Sequence, residues 1–480
     1  MSTSTSETTA PTTNNLHTVL LALKRLRRPR PDHILPHLRN PKDPSDFDYL
    51  DALATLCAFA GPCDSVSTAV RCSPSLEGND LYIATSSPPP DPPALQAQLA
   101  AWTDLMRTLP VRRRVDSDSD SDVSEDGSES EEPGSPESEE GSGSEEDSES
   151  KEGPESEFED HEYATSTQSF IVEVYRGCHA KLLDIINRDD VGQKVLERVE
   201  TMPERYIVLY GISRPQLAGY LKCLVALARK KLLTSAEDLL SLYSTAKAVA
   251  EFERPLYRLE CVSFLRALSD LTLAVDTLVD FATHRKMQDI VQSPWNFIWV
   301  HVPGPESARD FVATTNVDEL AAIVPSKWRD ALTSPTIEWR DFHPTPSGNV
   351  QQVEESPGHF TGKGVVHCES ALLAYLHANQ LYEDKAIQPY IGCSRPVCYA
   401  CLTLIRAHYW ELYTRRIDVG RRSDLEEIDV SWAYPRGMGP AVYKRLVADM
   451  VGDFKLLVRN PYKDVFHHIV TDPSGLPEGF

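Results

Sequence analysis

The chain has 480 residues, 41% of them apolar, ten cysteines and a formal charge of −24. That length and apolar content suffice for two or three packed domains, while the cysteines are too sparse for a disulfide scaffold and no run of eighteen apolar residues exists to span a bilayer. The charge is local, because 22 Asp and Glu against the single Lys151 fall between 116 and 162, leaving the rest of the chain close to neutral and without a broad basic surface.

Residues 1–15 are Ser/Thr-rich, carry no apolar core of a secretory signal, and read as disordered. A reducing compartment, cytoplasm or nucleus, is the expected location. From 16 to 110 the pattern is that of a helical region. Leu16, Val19, Leu20, Leu23 and Leu26 recur at helix spacing, 49–60 reads as a buried helix, 86–93 as a proline loop and 94–109 as another helix. Segment 116–162 is Ser/Asp/Glu/Gly-rich and has too few apolar side chains to offset the entropy of ordering. It is expected to be a disordered acidic linker. Its thirteen serines lie in acidic surroundings, so phosphorylation would deepen its charge, and a basic protein is the partner it suits. A purely solubilising linker is the plainer alternative.

Helical periodicity returns over 166–290, with helices expected at 171–186, 216–233, 235–252 and 259–281. Strands are expected at 295–302, and more weakly at 336–342 and 364–366. Beyond them the pattern predicts a helix over 369–380, a strand over 387–392, a helix over 396–413, a strand-like stretch over 428–434, a helix over 441–450 and a strand over 454–458. Alternating strands and helices make 295–480 an α/β domain, an α/β/α sandwich with a mixed sheet, preceded by mainly α regions and the acidic linker.

Two short motifs in that last region carry chemistry. Val366-His367-Cys368-Glu369 contains His-x-Glu, and about thirty residues later Val397-Cys398-Tyr399-Ala400-Cys401 contains Cys-x-x-Cys. His367, Cys398 and Cys401 supply three ligands of a kind that suits Zn2+, which leaves one coordination position open, the mark of a catalytic and not a structural site. Glu369 is then a spare carboxylate able to carry protons. Cys398 and Cys401, at i and i+3 of a helix start, share a face, and a helix N-terminus favours thiolate. Cys393, Cys368 or His359 could close the site as a fourth ligand, Cys393 being the serious candidate, whereas Cys368 reads first as a small buried hydrophobe; His377, ten residues along the helix from His367, is too far away.

This arrangement resembles the zinc-dependent cytidine deaminase-like superfamily, whose signature places His-x-Glu and Pro-Cys-x-x-Cys at the starts of two helices. Gly392-Cys393-Ser394-Arg395-Pro396-Val397-Cys398-Tyr399-Ala400-Cys401 is most similar to an uncharacterised, mainly fungal branch of predicted nucleic acid or nucleotide deaminases. The resemblance covers 364–409. It implies Zn2+ on His367, Cys398 and Cys401, Glu369 as proton shuttle, and attack of activated water on an amine-bearing ring carbon with release of ammonia. The substrate would be a base-containing small molecule or single-stranded nucleic acid. The proline stands one place early, at Pro396, with Val397 before the first cysteine, which leaves the substrate class open.

Two duller readings stand beside this one. Zinc could be structural in a non-catalytic interaction protein that uses its helices and acidic tract to bind partners. Cys398 and Cys401 alone could form a thiol redox pair, which gives His367 and Glu369 no role. Trp432 and Tyr434 could stack on a base, although a buried aromatic is the simpler expectation. The basic clusters Lys24-Arg25-Leu26-Arg27-Arg28, Arg112-Arg113-Arg114 and Arg421-Arg422 suit phosphate contacts, import signals or solvated helix faces, and His467-His468 has no partner spacing.

Overall fold

A computed structural model describes residues 13–26, 47–61, 63, 65–72, 78–86, 91–112, 155–188, 197, 199–201, 213–228, 235–256, 262–303, 309–316, 318–320, 350–352, 358–412, 416–420 and 428–459. The expected strand at 336–342, the expected disorder at 1–12 and 116–154, and His467-His468 lie outside them.

Helix α1 (Thr13–Leu26) buries Leu16, Val19, Leu20, Leu23 and Leu26, the stripe its spacing predicts. Helix α2 (Asp48–Ala60) is buried on nearly all sides. Between α2 and helix α3 (Pro92–Arg107) the chain forms an antiparallel hairpin, β1 (Val66–Cys72) with β2 (Asn79–Thr85). The reading of 16–110 as a helical region is therefore corrected at 66–85. Both faces of these strands are covered: Val66, Val70, Leu81 and Ile83 enter one core and Ala69, Tyr82 and Ala84 the other. A strand buried on both faces shows no polar alternation, so its pattern carries no period of two.

Four long helices follow: α4 (Glu155–Arg188), α5 (Arg214–Ala228), α6 (Ala236–Leu256) and α7 (Val262–Thr283), the first beginning within the segment read as linker. After the short α8 (Gln288–Gln292), β3 (Trp295–Val300) pairs in parallel with β2. Then come β4 (Arg309–Thr314), β5 (Val350–Gln352) and β6 (His359–Gly364), which make a separate three-stranded antiparallel sheet in the order β4-β6-β5. Helix α9 (Cys368–Ala378), β7 (Tyr390–Cys393), α10 (Tyr399–Leu412), β8 (Asp418–Val419) and α11 (Gly439–Arg459) complete the described chain.

The main sheet has five strands in the order β3-β2-β1-β7-β8, with parallel and antiparallel neighbours. The fold is α/β with a mixed sheet. Two of its three inner strands come from 66–85, so the sheet is not contained in 295–480. Residues 86–294 form an excursion between the adjacent strands β2 and β3. On one sheet face α2 and helices α3 to α7 share a single core. On the other, α1, α9, α10 and α11 share a second. The expected strand at 454–458 is instead the end of α11, where Val442, Leu446, Met450, Phe454 and Leu457 keep helical spacing and are buried. The expected strand at 428–434 is reduced to one parallel bridge, Val365 to Trp432. No helix among the described residues is long and apolar enough to cross a membrane.

One close approach positions the site. Gly392 of β7 lies against the backbone of Leu50 in α2, where an added Cβ would sit 2.7 Å from Leu50 Cβ and closer still to its carbonyl group. The Cys393 N–H donates to Asp51 Oδ1 (2.7 Å) and the Tyr390 hydroxyl to Asp51 Oδ2 (2.8 Å), fixing the end of β7 to the same helix.

A candidate metal centre

The chain turns from β6 through Val365 into α9, with His367 as its extended N-cap residue (φ −80°, ψ 158°). From the end of β7 it turns through Ser394, whose N–H donates to the Val66 carbonyl (2.9 Å) and whose hydroxyl accepts from the Val66 N–H (2.9 Å). That pins the 394–397 loop to the start of β1 and delivers Cys398 to the mouth of α10. The Cys398 sulfur accepts the N–H of Cys401 (3.4 Å), doing the work of an N-cap oxygen. Two helix N-termini thus converge on one point, each bringing the positive end of its dipole.

At that point one ligand atom each of His367, Cys398 and Cys401 lies within 4.8 Å of the others, and His367 Nδ1 is 3.3 Å from Cys398 Sγ. Tetrahedral zinc with ordinary Zn–S and Zn–N bonds sets its ligand atoms about 3.5–3.8 Å apart. The donor set and its spacing fit that ion. Glu369, in the first turn of α9 and 4% exposed, places Oε2 3.7 Å from Cys401 Sγ.

The candidate fourth ligands are engaged elsewhere. The Cys368 thiol donates to the Ser65 carbonyl (3.3 Å). Cys393 Sγ lies 3.6 Å from the Ile391 carbonyl and 3.9 Å from Ser67 Oγ. His359 pairs with Glu319 (3.1 Å), and His377 faces His408 (3.3 Å). Among the described residues, the group of His, Cys, Asp and Glu side chains close enough to share an ion has three members.

A second ring of contacts surrounds these groups. His367 Nε2 lies 3.0 Å from Asp429 Oδ2, and Asp429 Oδ1 accepts from the N–H (2.8 Å) and hydroxyl (2.6 Å) of Ser431. Cys401 Sγ is 3.1 Å from Ser370 Oγ and 3.2 Å from the Trp432 indole nitrogen. Burial pushes the Asp429 carboxyl up, but the hydrogen bond and charge of His367 and the Ser431 donors outweigh it and hold it near 2. Burial also opposes charge on His367, yet Cys401 and Asp429 leave its imidazole well above the ordinary range. Cys401 is pushed far up by burial, then by Cys398 and Glu369. Buried thiols of this kind become ligands only when a cation replaces their protons.

Sequence reasoning brought His367, Glu369, Cys398 and Cys401 to this place but missed Asp429 and Ser370. A ligating histidine usually gives its second nitrogen to a carboxylate, which is the signal for Asp429. Asp424, Glu426, Glu427 and Asp429 stand too close in sequence for spacing to choose among them. Trp432 is fully buried and offers no face to a base. The Tyr434 hydroxyl donates to the Gly439 carbonyl (2.8 Å) and its ring meets Tyr443 edge-on. Of the basic clusters, Arg25 lies on α1 and donates to the Thr315 carbonyl (3.3 Å). Arg112 pairs with Asp280 (3.0 Å), while Arg27-Arg28, Arg113-Arg114 and Arg421-Arg422 lie outside the described residues.

No curated protein and no solved structure matches the chain. Residues 366–436 do match the model of a family described as OTT_1508_deam-like deaminase, a stretch that begins one residue before His367 and includes Glu369, Cys398, Cys401, Asp429 and Trp432.

Proposed function

We propose that this chain is a zinc-dependent hydrolytic deaminase acting on the amine of a nucleobase, nucleoside, nucleotide or single-stranded nucleic acid. The observation that carries this reading is the cluster of His367, Cys398 and Cys401 with a buried carboxylate, Glu369, beside it and no fourth ligand among the described residues. Zinc held by those three side chains supplies Lewis acidity that activates water at neutral pH. Cys398 and Cys401 hold their sulfurs at the start of α10, and His367 turns Nδ1 toward them while Asp429 occupies its other nitrogen. Glu369 takes a proton from the attacking water and returns it to the departing nitrogen, so that oxygen replaces nitrogen on the ring carbon and ammonia leaves. The burial of Glu369 and Cys401 keeps bulk water from competing for that proton.

The test is metal analysis of the purified full chain followed by ammonia release from cytosine-, adenine- and guanine-containing substrates. One zinc per chain is expected, with Glu369→Ala retaining the zinc and losing ammonia release. Wild type and Glu369→Ala behaving alike on every substrate, with zinc present in both, would replace this reading by that of a zinc-stabilised interaction protein. The acidic tract would then be the surface to probe with basic proteins.

A further inference from the structure

We propose that one short segment, Asp429 to Trp432, governs the electron donation of two of the three ligands, with Trp432 acting on Cys401 and Asp429 on His367 as positioning residues. This rests on the reading of the cluster as a zinc site. Trp432 is 0% exposed, and a buried indole N–H must find an acceptor. It lies 3.2 Å from Cys401 Sγ and 3.2 Å from Ser370 Oγ, and Ser370 Oγ is itself 3.1 Å from that sulfur. With Cys401 as thiolate, the indole N–H and the serine O–H both point their positive ends at the same sulfur. Charge-assisted hydrogen bonds of this kind draw electron density from the acceptor. Asp429 works in the opposite sense, because a carboxylate on the far nitrogen of an imidazole makes the near nitrogen a stronger donor. Cys398, by contrast, accepts the backbone N–H of Cys401.

The segment is itself held in place. The Val365 N–H donates to the Ser431 carbonyl (2.7 Å) and the Ala433 N–H to the Val365 carbonyl (2.8 Å), tying it to the residue two before His367. Between Asp429 and Trp432, the Val430 carbonyl accepts from His17 Nδ1 of α1 (2.7 Å), and the His17 ring stacks on Phe311 at 3.7 Å. The N-terminal helix and the second sheet therefore both fix a segment that touches two ligands.

The experiment uses the full chain loaded with cobalt(II), whose sulfur-to-metal charge-transfer band reports thiolate donor strength, and with zinc for release to a chelator. Trp432→Phe and Ser370→Ala are each expected to move the band to longer wavelength. Asp429→Asn is expected to speed zinc loss by about 10–100-fold. Tyr434→Phe, which removes a hydroxyl on the same stretch that faces Gly439, should leave both readouts unchanged. If Trp432→Phe fails to fold, Asp429→Asn decides the question for the segment, because it exchanges one oxygen for nitrogen beside His367, and zinc loss no faster than in wild type overturns the inference. An unshifted band in the indole and serine variants, with a cobalt-loaded wild type, overturns this inference and leaves the zinc reading intact. A wild type that takes up neither metal overturns both.

Discussion

Replacing Gly392 by alanine tests whether the sheet and the candidate metal centre share one rigid joint. The new methyl group would sit 2.7 Å from Leu50 Cβ, with the Leu50 carbonyl closer still. Carbon atoms rest about 3.5–4.0 Å apart, so β7 and α2 must separate by roughly 1 Å. No rotamer change relieves a clash with backbone, which places the penalty at or above the upper end of the usual 1–3 kcal/mol for overpacking. Restricting the unfolded chain returns only about 0.4–1 kcal/mol. The net expectation is a loss of about 2 kcal/mol or more, read as a lower urea midpoint at unchanged slope. Because Gly392 lies six residues before Cys398 and next to Cys393, which Asp51 holds, zinc affinity should fall as well. Gly452→Ala is the paired control. It lies within α11 with nothing within 4 Å of the added atom, so it should stabilise by about 0.5–1 kcal/mol. If Gly392→Ala leaves the midpoint at or above that of the unaltered chain, as Gly452→Ala should, the joint between β7 and α2 does not exist.

Three other outcomes are expected. Residues 295–480 expressed alone lack β1 and β2, so they should show no cooperative unfolding by circular dichroism, whereas the full chain should. Cys393→Ser and Cys368→Ser should keep stoichiometric zinc by elemental analysis while Cys401→Ser loses it, since only the last sulfur belongs to the cluster. Burial lowers His17 to about 4, against the weaker opposing pull of the Val430 carbonyl and Asp429. The unfolded chain then binds this proton more readily, so the stability is fully present above about pH 6.5 and is lost as pH falls toward 4, by about 3 kcal/mol. His17→Gln should flatten the urea midpoint across that window, leaving the share of His408, which burial and His377 also lower to about 4.

The candidate metal site was legible because its members sit within thirty-five residues and each helix start is marked locally, by His367 before one apolar run and Pro396 before another. Helices α1 and α2 were legible from the spacing of their leucines. The hairpin at 66–85 was not, because its register depends on β7 and β3, hundreds of residues away, and its strands are buried on both faces. Phe454 to Val458 looked like a strand when read as five residues and becomes helical only when joined to Val442, Leu446 and Met450. Asp429 meets His367 across 62 residues, a pairing no local pattern encodes.

The split origin of the main sheet sets a timetable for its assembly. The ribosome releases β1 and β2 early, but β3 emerges roughly 210 residues after β2 and β7 roughly 320 after β1, at about 5–20 residues per second. For tens of seconds the nascent hairpin therefore carries two bare edges of unpaired N–H and C=O groups that ask for strands not yet made. Synthesis of this protein is therefore a period in which unpaired strand edges lie open to intermolecular pairing.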